Sequence, residues 1–458
     1  LSLTKNDPRT IRAWTFYDWA NSVYSLTITS AVFPIFYAAI TKDADGKDLV
    51  AEAHGVPAQS LYSYALSAGF LIVALIAPLL SGIADSRGNK LAYLKAFCYL
   101  GAASCAGLAF FTFEGIWWGL ALVALACIGF SGSLVFYDAF LVDIAGPDQH
   151  DKVSARGYVM GYIGSVILLV INLLMVMQPG WFALPERIHW NGAEYGGVPA
   201  RATFITVGIW WVAFAQIAFR RLPKRTPAAD GRSGALWSGY HELRKVWRQL
   251  AGATRLKRYL LAFFVFNMGI QTVMYLAVIY AEHEIKRVDA SGAIVPIAPE
   301  SLIISILLIQ ILAALGASLF VRLSARYGNL RALLVGVLFW VGLCVGAYHT
   351  SWTHEFYLLA SGVGLVMGGC QALARSTYAK FLPPTTDTAS FFSFYDVSYY
   401  IGVVMGTAIY GLVYQLTGDL RNTALALASF FIFGAVLLLR VPEREAAAGS
   451  APSPSSRP

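Results

Sequence analysis

Ser81-Gly82-Ile83-Ala84-Asp85-Ser86-Arg87-Gly88-Asn89-Lys90 and Val321-Arg322-Leu323-Ser324-Ala325-Arg326-Tyr327-Gly328-Asn329-Leu330 are short polar breaks between long apolar runs, with Gly-Asn at the same place in each. Gly161-Tyr162-Ile163-Gly164 and Tyr399-Tyr400-Ile401-Gly402 match at nearly the same offset. Either match alone is weak, but two at one spacing are the mark of a duplicated unit. The chain therefore reads as two related halves, and a polar site is expected where the halves meet.

The composition around these breaks is that of a membrane protein. Of 458 residues 57% are hydrophobic and 13% charged, against roughly 45–50% and about 25% in soluble domains. A bilayer core of about 30 Å takes about 20 apolar residues per helix. Gly/Pro-rich polar breaks divide the chain into expected spans at 12–41, 60–84, 91–112, 115–145, 152–177, 201–221, 257–282, 300–325, 331–350, 354–381, 388–417 and 421–441. The first apolar run carries Asp18 and Asn21 and continues to Tyr37, too long for a cleaved signal peptide. The expected organisation is an N-terminal six-helix half (1–221), a basic cytoplasmic linker (222–256), a C-terminal six-helix half (257–441) and a disordered Ala/Ser/Pro-rich tail (442–458).

With the N-terminus inside, about 27 of the 34 Lys and Arg fall on the cytoplasmic side, which predicts an N-in, C-in membrane protein. The net charge of +8 thus reports topology, and no nucleic-acid partner is expected. In the linker Leu236, Tyr240, Leu243, Trp247 and Leu250 recur at helical spacing between basic residues. That pattern suits an amphipathic helix on anionic inner-leaflet lipids over residues 236–258, and equally a solvated linker helix.

Gly82-Ile83-Ala84-Asp85 followed by Gly88-Asn89-Lys90 resembles the loop motif between spans two and three of the major facilitator superfamily. The second copy has Ala325 where the acid would stand, so a gating role of that acid falls to Asp85. Trp14-Thr15-Phe16-Tyr17-Asp18-Trp19-Ala20-Asn21-Ser22, Phe33-Pro34, Phe136-Tyr137-Asp138-Ala139-Phe140-Leu141 and Gly369-Cys370-Gln371-Ala372-Leu373-Ala374-Arg375-Ser376 resemble the vacuole-effluxer branch of that superfamily, which has bacterial members. The resemblance implies an all-α integral membrane protein of twelve transmembrane helices in two pseudo-symmetric halves. Its fungal members are associated with release of amino acids from the vacuole. The superfamily's spans one, four, seven and ten line its central cavity.

Asp18, Asp138, Arg375 and Asp396 lie inside apolar spans, where a central charge costs roughly 2.5–3.5 kcal/mol. They are expected to face the interior. Periodicity groups Asp18, Asn21, Ser25 and Thr29 on span one, and Gly364, Gly368, Gln371, Arg375 and Tyr378 on span ten. Asn267 and Gln271 mark a face of span seven, and Ser393, Asp396, Tyr400 and Thr407 one of span eleven. The substrate or proton pathway is thus expected at Asp18, Asn21, Ser25, Asp138, Asn267, Gln271, Gln371, Arg375, Asp396 and Tyr400, with a cytoplasmic gate at Gly82, Asp85, Arg87, Gly88, Lys90 and Asp143. Two readings of the charged cluster stay open: an ion-pair network closing the halves, or a binding site in which Arg375 holds a substrate carboxylate. Glu282, His283 and Glu284 read as a solvated rim, and Trp117, Trp118, Trp210 and Trp211 as interface anchors or lipid-facing packing.

These features describe a secondary transporter of a small polar metabolite, with an amino acid as the leading substrate and H⁺ as the coupling ion. A multidrug or cationic-metabolite exporter, and a non-transporting receptor on the same fold, are the alternatives. No Gly-x-x-x-x-Gly-Lys-[Ser/Thr] loop is present for ATP hydrolysis. The five cysteines lie inside apolar runs and the seven histidines in loops or at span ends, without metal-ligand spacing. No cofactor, metal or catalytic site is expected, which argues against an intramembrane enzyme. A monomer is expected.

Overall fold

A computed structural model describes residues 5–43, 45–190, 193–224, 235–289 and 291–443. Among the described residues twelve helical segments are long and apolar enough to cross a membrane. They are α1 (Pro8–Thr41), α2 (Ala58–Arg87), α3 (Lys90–Phe110), α4 (Ile116–Ile144), α5 (His150–Met177), α6 (Val198–Arg221), α7 (Thr254–Glu284), α8 (Pro299–Tyr327), α9 (Asn329–His349), α10 (Thr353–Phe381), α11 (Thr388–Thr417) and α12 (Leu420–Leu439). Each lies where an apolar run was expected, but several run a turn further at one end. α1 starts at Pro8 because Asp7 accepts hydrogen bonds from the Arg9 and Thr10 amides and Pro8 needs no amide partner in the first turn. α2 continues through its polar end to Arg87 and stops where Gly88 turns left-handed at φ 65°.

α1 is not uniform: Tyr24–Ala31 is wound as a π-helix. Such over-wide turns are rare and gather at functional sites, and this one carries Ser25, Thr29 and Ser30 into the cavity described below. Two short antiparallel hairpins, Arg187–Trp190 with Ala193–Gly196 and Lys286–Val288 with Ile294–Pro296, follow α5 and α7. Odd-numbered helices therefore run from the face that holds the described termini, here the terminal face, to a hairpin face.

α1–α6 and α7–α12 form the two halves. They meet with the symmetry of the repeat: α2 packs on α11, and its counterpart α8 packs on α5. α10 adds a contact to α5, and α11 one to α4. Within the halves, aromatic side chains fill the space between helices. Trp211, expected at a lipid or interfacial surface, is fully buried against Tyr24 and Phe130, and Trp210 donates its indole N–H to the Trp19 carbonyl at 3.1 Å. Large rings with one polar handle pack inside as readily as at an interface. Trp117 and Trp118 are exposed, as expected. Gly364 and Gly368 also depart from the sequence reading. They face the α8 backbone at Ile309 and Ala313, leaving no space for a side chain, and do not line a polar path. Glu284 is not a free rim group, since it pairs with Arg421 at 2.8 Å.

The linker helix (Ala235–Gly252) docks on the terminal ends of α2 and α11, one from each half. Val246 and Leu250 are buried, and Trp247 lies 5.7 Å from the Phe394 ring. Lys245 donates to Asp387 at 2.6 Å and to Glu242 at 2.8 Å. The Leu236 side chain, the linker residues Arg225, Asp230 and Arg232, and the tail 444–458 lie outside the described residues.

Burial works to raise the Asp387 carboxyl, but the hydrogen bond and charge of Lys245, with the hydrogen bonds of Glu242 and Thr386, together outweigh it and hold that carboxyl below the usual range. Lys245 loses something to burial and is carried up to about 12 by Asp387 and Glu242. Glu242 is pushed upward by burial, only partly offset by Lys245, so it takes up a proton before Asp387 does. A lowered acid stabilises above its ordinary range and is lost as pH falls through the lowered value; a raised lysine stabilises until pH climbs through about 12. The contact thus holds across neutral pH. A pair of this kind, with the lysine half exposed and screened by solvent, contributes about 1 kcal/mol. Lys245→Ala is accordingly expected to raise amide exchange in residues 240–252 by up to about fivefold at pH 7, with no such difference from the native chain at a pH acid enough to protonate Asp387.

Candidate functional site

Arg375 comes from α10, six residues before its end at Phe381, about 9 Å inside the terminal face at 1.5 Å per residue. Its Nη1 donates to Asp138 of α4 at 2.8 Å, and its Nη2 reaches Asp18 of α1 at 3.4 Å. Nε donates to the Ser154 hydroxyl at 3.0 Å and Nη2 to the Ser154 carbonyl at 2.9 Å. The guanidinium lies over the rings of Tyr158 at 4.3 Å, Trp14 at 5.0 Å and Tyr137 at 5.5 Å. Tyr137 in turn donates to Asp18 at 2.7 Å, and Trp14 stacks on Tyr137 and donates to its carbonyl at 2.9 Å. One cation of the C-terminal half is therefore held by two carboxyls, a serine and three rings of the N-terminal half. All three charged side chains are more than nine-tenths buried.

Above this cluster opens a cavity of about 180 Å³ between the halves. The residues expected to form the pathway, Asp18, Asn21, Ser25, Asp138, Asn267, Gln271, Gln371, Arg375, Asp396 and Tyr400, all line it. Two of them tie the halves at mid-depth: Gln371 accepts from Tyr162 and Tyr400 donates to the Ser131 carbonyl, both at 2.9 Å. Gln271 accepts from Tyr399 at 2.7 Å and donates to Asn267 at 3.1 Å. Asp396 differs from the other acids. It is buried on α11, and its Oδ2 has no hydrogen-bond partner. Both ends of the Asn21 amide, Nδ2 of Asn267 and Oε1 of Gln310 are likewise buried in the lining without a partner. Ser393 and Thr407, expected on the same face of α11 as Asp396, bond to their own helix and do not reach the cavity.

The terminal face is closed by two sets of contacts related by the repeat. Asp85 at the end of α2 accepts from the amide and hydroxyl of Ser390 at 2.7 and 2.8 Å and from the Ala389 amide at 3.3 Å, so a carboxyl of one half caps the first turn of α11 in the other. Lys90 pairs with Asp143 and donates to Thr388 at 2.6 Å. At the related place α8 has Ala325, and the acid comes from the opposite side. Asp151 in the first turn of α5 accepts from Lys380 at 2.5 Å, Asn329 at 2.8 Å and Ser324 at 3.2 Å. Of the other expected gate residues, Gly82 is buried, Gly88 supplies the turn, and Arg87 is exposed without an ion pair among the described residues. Among the described residues every hydrogen bond and ion pair between the halves lies from this face to mid-depth. The deepest, at Tyr162 and Tyr400, stand about 18 Å in.

Ser154, Tyr158, Gln310, Asp151 and Lys380 are absent from the sequence reading, and Tyr137 and Tyr162 enter it only as members of motifs, without a place in the site. The tyrosines at 158 and 162 share a helical face with Gly161, and that spacing was the available signal. Asp151 and Lys380 stand at helix ends, where charges are ordinary.

A family model described as "Vacuole effluxer Atg22 like" matches residues 6–449. The chain is 31% identical over 433 residues to a Bacillus subtilis protein described as an uncharacterized MFS-type transporter, YxiO, covering 94% of each. It is 22% identical over 324 residues to autophagy-related protein 22-1 of Aspergillus clavatus, covering 64% of this chain and 48% of that one, so it spans about half the fungal protein's length. Among solved structures, FucP in its outward conformation superposes with a TM-score of 0.68 at 15% identity over 96% of this chain and 99% of its own, a likeness of fold alone.

Two outcomes follow from the geometry. A Cβ at position 157 would stand 2.4 Å from Asp18 Oδ2 and 3.0 Å from both Arg375 Nη2 and the Tyr137 hydroxyl. Gly157→Ala should therefore destabilise the protein by about 1–3 kcal/mol and lower its melting temperature in detergent. A double-mutant cycle between Arg375→Met and Asp138→Asn should give a coupling of about 0.5–3 kcal/mol in thermal unfolding, whereas additivity would mean that the pair is not formed.

Proposed function

This chain belongs to the Atg22-like vacuole effluxer family and is a multi-pass integral membrane transporter of the major facilitator type, and on that premise we propose that it moves a small polar metabolite, an amino acid before others, by alternating access coupled to H⁺. The observation that carries this reading is the polar cavity between the halves. It holds three carboxyls and one guanidinium and is closed on one face by contacts that join the halves. A polar cavity of about 180 Å³ has room for several waters, or for one small solute in their place.

The terminal face is assigned to the cytoplasm, on the Lys and Arg excess of its loops. In this reading the contacts between the halves seal the structure toward the cytoplasm. Efflux is the working direction, in keeping with the family's description. The exposed Arg244 and Arg248 of the linker helix would meet anionic headgroups of the inner leaflet, each contributing about 1 kcal/mol. The transporter works as a monomer in this reading.

The test is flux. The purified full chain in proteoliposomes is given a pool of labelled amino acids, with and without an imposed pH gradient. Accumulation that collapses when the gradient is dissipated is the expected result. Binding without flux would favour a receptor on the same fold, and absence of both for every amino acid would overturn the proposed substrate.

A further inference from the structure

Arg375 was a candidate to hold the carboxylate of a substrate, and the geometry does not favour it. All three guanidinium nitrogens are engaged, by Asp138, Asp18 and both oxygens of Ser154, and the rings of Trp14 and Tyr158 lie within 5.0 Å. Four of its five N–H groups are thereby taken, so a carboxylate could not be held by two of them at once without displacing a buried partner, which at Asp138 or Asp18 carries the same charge.

The charge balance of the cavity points the other way. Asp18 and Asp138 share Arg375, which leaves Asp396 as the one lining carboxyl with no cation hydrogen-bonded to it among the described residues. Asp396 is 4% exposed. Unpartnered amide atoms, both ends of Asn21, Nδ2 of Asn267 and Oε1 of Gln310, line the same space. Buried polar groups are rarely left unpaired, so these atoms mark the places where water or a solute completes the structure.

We infer that the cavity recognises its solute through an ammonium group at Asp396, with a proton as the competing occupant of that carboxyl, and that Arg375 takes no part in binding. The inference rests on the transporter reading and deepens it. When an ammonium-bearing solute enters, the O–H bond of the Asp396 carboxylic acid breaks, its proton leaves to water at the open face, and the carboxylate pairs with the ammonium. On the other face a proton re-forms that O–H bond as the solute leaves. One carboxyl cannot hold both, so solute and proton cross in opposite directions, one for one. For a monocation the cycle moves no net charge; for a zwitterion it moves one. The charged and titratable groups around Asp396 and its neighbours include Asp18 on α1, Asp138 on α4, Tyr158 on α5, Tyr259 and Tyr275 on α7, Arg375 and Tyr378 on α10, and Tyr395, Tyr399 and Tyr400 on α11. Arg375 is the one cation of that set, and it is already paired.

The experiment is calorimetric titration of the detergent-solubilised full chain with matched probes: each common amino acid, its α-amide, which keeps the ammonium and loses the carboxylate, and its N-acetyl derivative, which does the reverse. Titrations in two buffers of different ionisation enthalpy count the protons released. At least one amino acid and its amide should bind with release of about one proton at acid pH, while the N-acetyl form should not bind. Asp396→Asn should remove the proton release and weaken binding by about tenfold or more, and Asp396→Glu, which restores the carboxyl, should recover both. The inference is overturned if an N-acetyl form binds as well as its amide, if proton release persists in Asp396→Asn, or if no ammonium-bearing probe binds. Gradient-driven flux of a solute without an ammonium would overturn it too, yet leave the transporter reading standing, whereas absence of all flux would remove that reading itself.

Discussion

The closed terminal face depends on a guanidinium that one half of the molecule inserts between two carboxyls of the other. Arg375 sits at a depth where an unpaired charge costs roughly 2.5–3.5 kcal/mol, so its pairing with Asp18 and Asp138 cannot simply be released. If the halves parted at this face, one cation and two anions would be stranded in a low-dielectric site. Removing one member of such a buried set typically costs about 3–5 kcal/mol. Opening therefore needs water to enter as the halves separate, or a change in the charge of the cavity that weakens the set. A solute or proton at Asp396, which feels Asp138 and Arg375, can supply that change.

The outer layer of contacts shows how a duplicated fold adapts one device to two places. On one side of the pseudo-twofold Asp85 of α2 caps the first turn of α11. On the other, the residue equivalent to Asp85 is Ala325, and Asp151 in the first turn of α5 reaches back to Ser324, Asn329 and Lys380. The acid has changed sides while the helix pair it joins is retained. Both layers, and the linker helix laid across α2 and α11, join the halves from the terminal face to mid-depth. To move such a closed state from 99:1 to 1:99 takes a differential binding energy of about 5.5 kcal/mol, which is the scale that ligand, proton and membrane must together provide.

Much of this was legible in the sequence, for physical reasons that differ from part to part. The helices were legible because each must carry enough apolar residues to cross a bilayer, and the halves because two loops kept Gly-Asn at one offset. The cavity was legible because intramembrane charges have few places to go: Asp18, Asp138, Arg375 and Asp396 had to face inward, and the residues in phase with them followed. What was hidden has no such constraint. Ser154, Tyr137 and Tyr158 are neutral or aromatic, and nothing in hydropathy separates them from packing residues. Gly364 and Gly368 lie in phase with Arg375, but serve close approach of α8. The π-turn at Tyr24–Ala31 changes the phase of α1, and its signal was Pro34, which has no N–H to give the Ser30 carbonyl one turn back. The hairpin after α5 did have a signal in Asn191-Gly192, overlooked among long helices. The docking of the linker helix on protein could not be separated from a helix lying free on lipid, since both need one apolar stripe.

The most direct test of Arg375 as the clamp between the halves is a distance measurement across the terminal face. Spin labels at positions 87 and 327, exposed at the ends of α2 and α8, would report the separation of the halves in lipid nanodiscs. The account predicts one short distance in the labelled protein with Arg375 in place, and a second, longer population in the same protein carrying Arg375→Met. An unchanged single distance in the folded variant would contradict it, leaving the terminal face closed by other contacts and Arg375 free for another role.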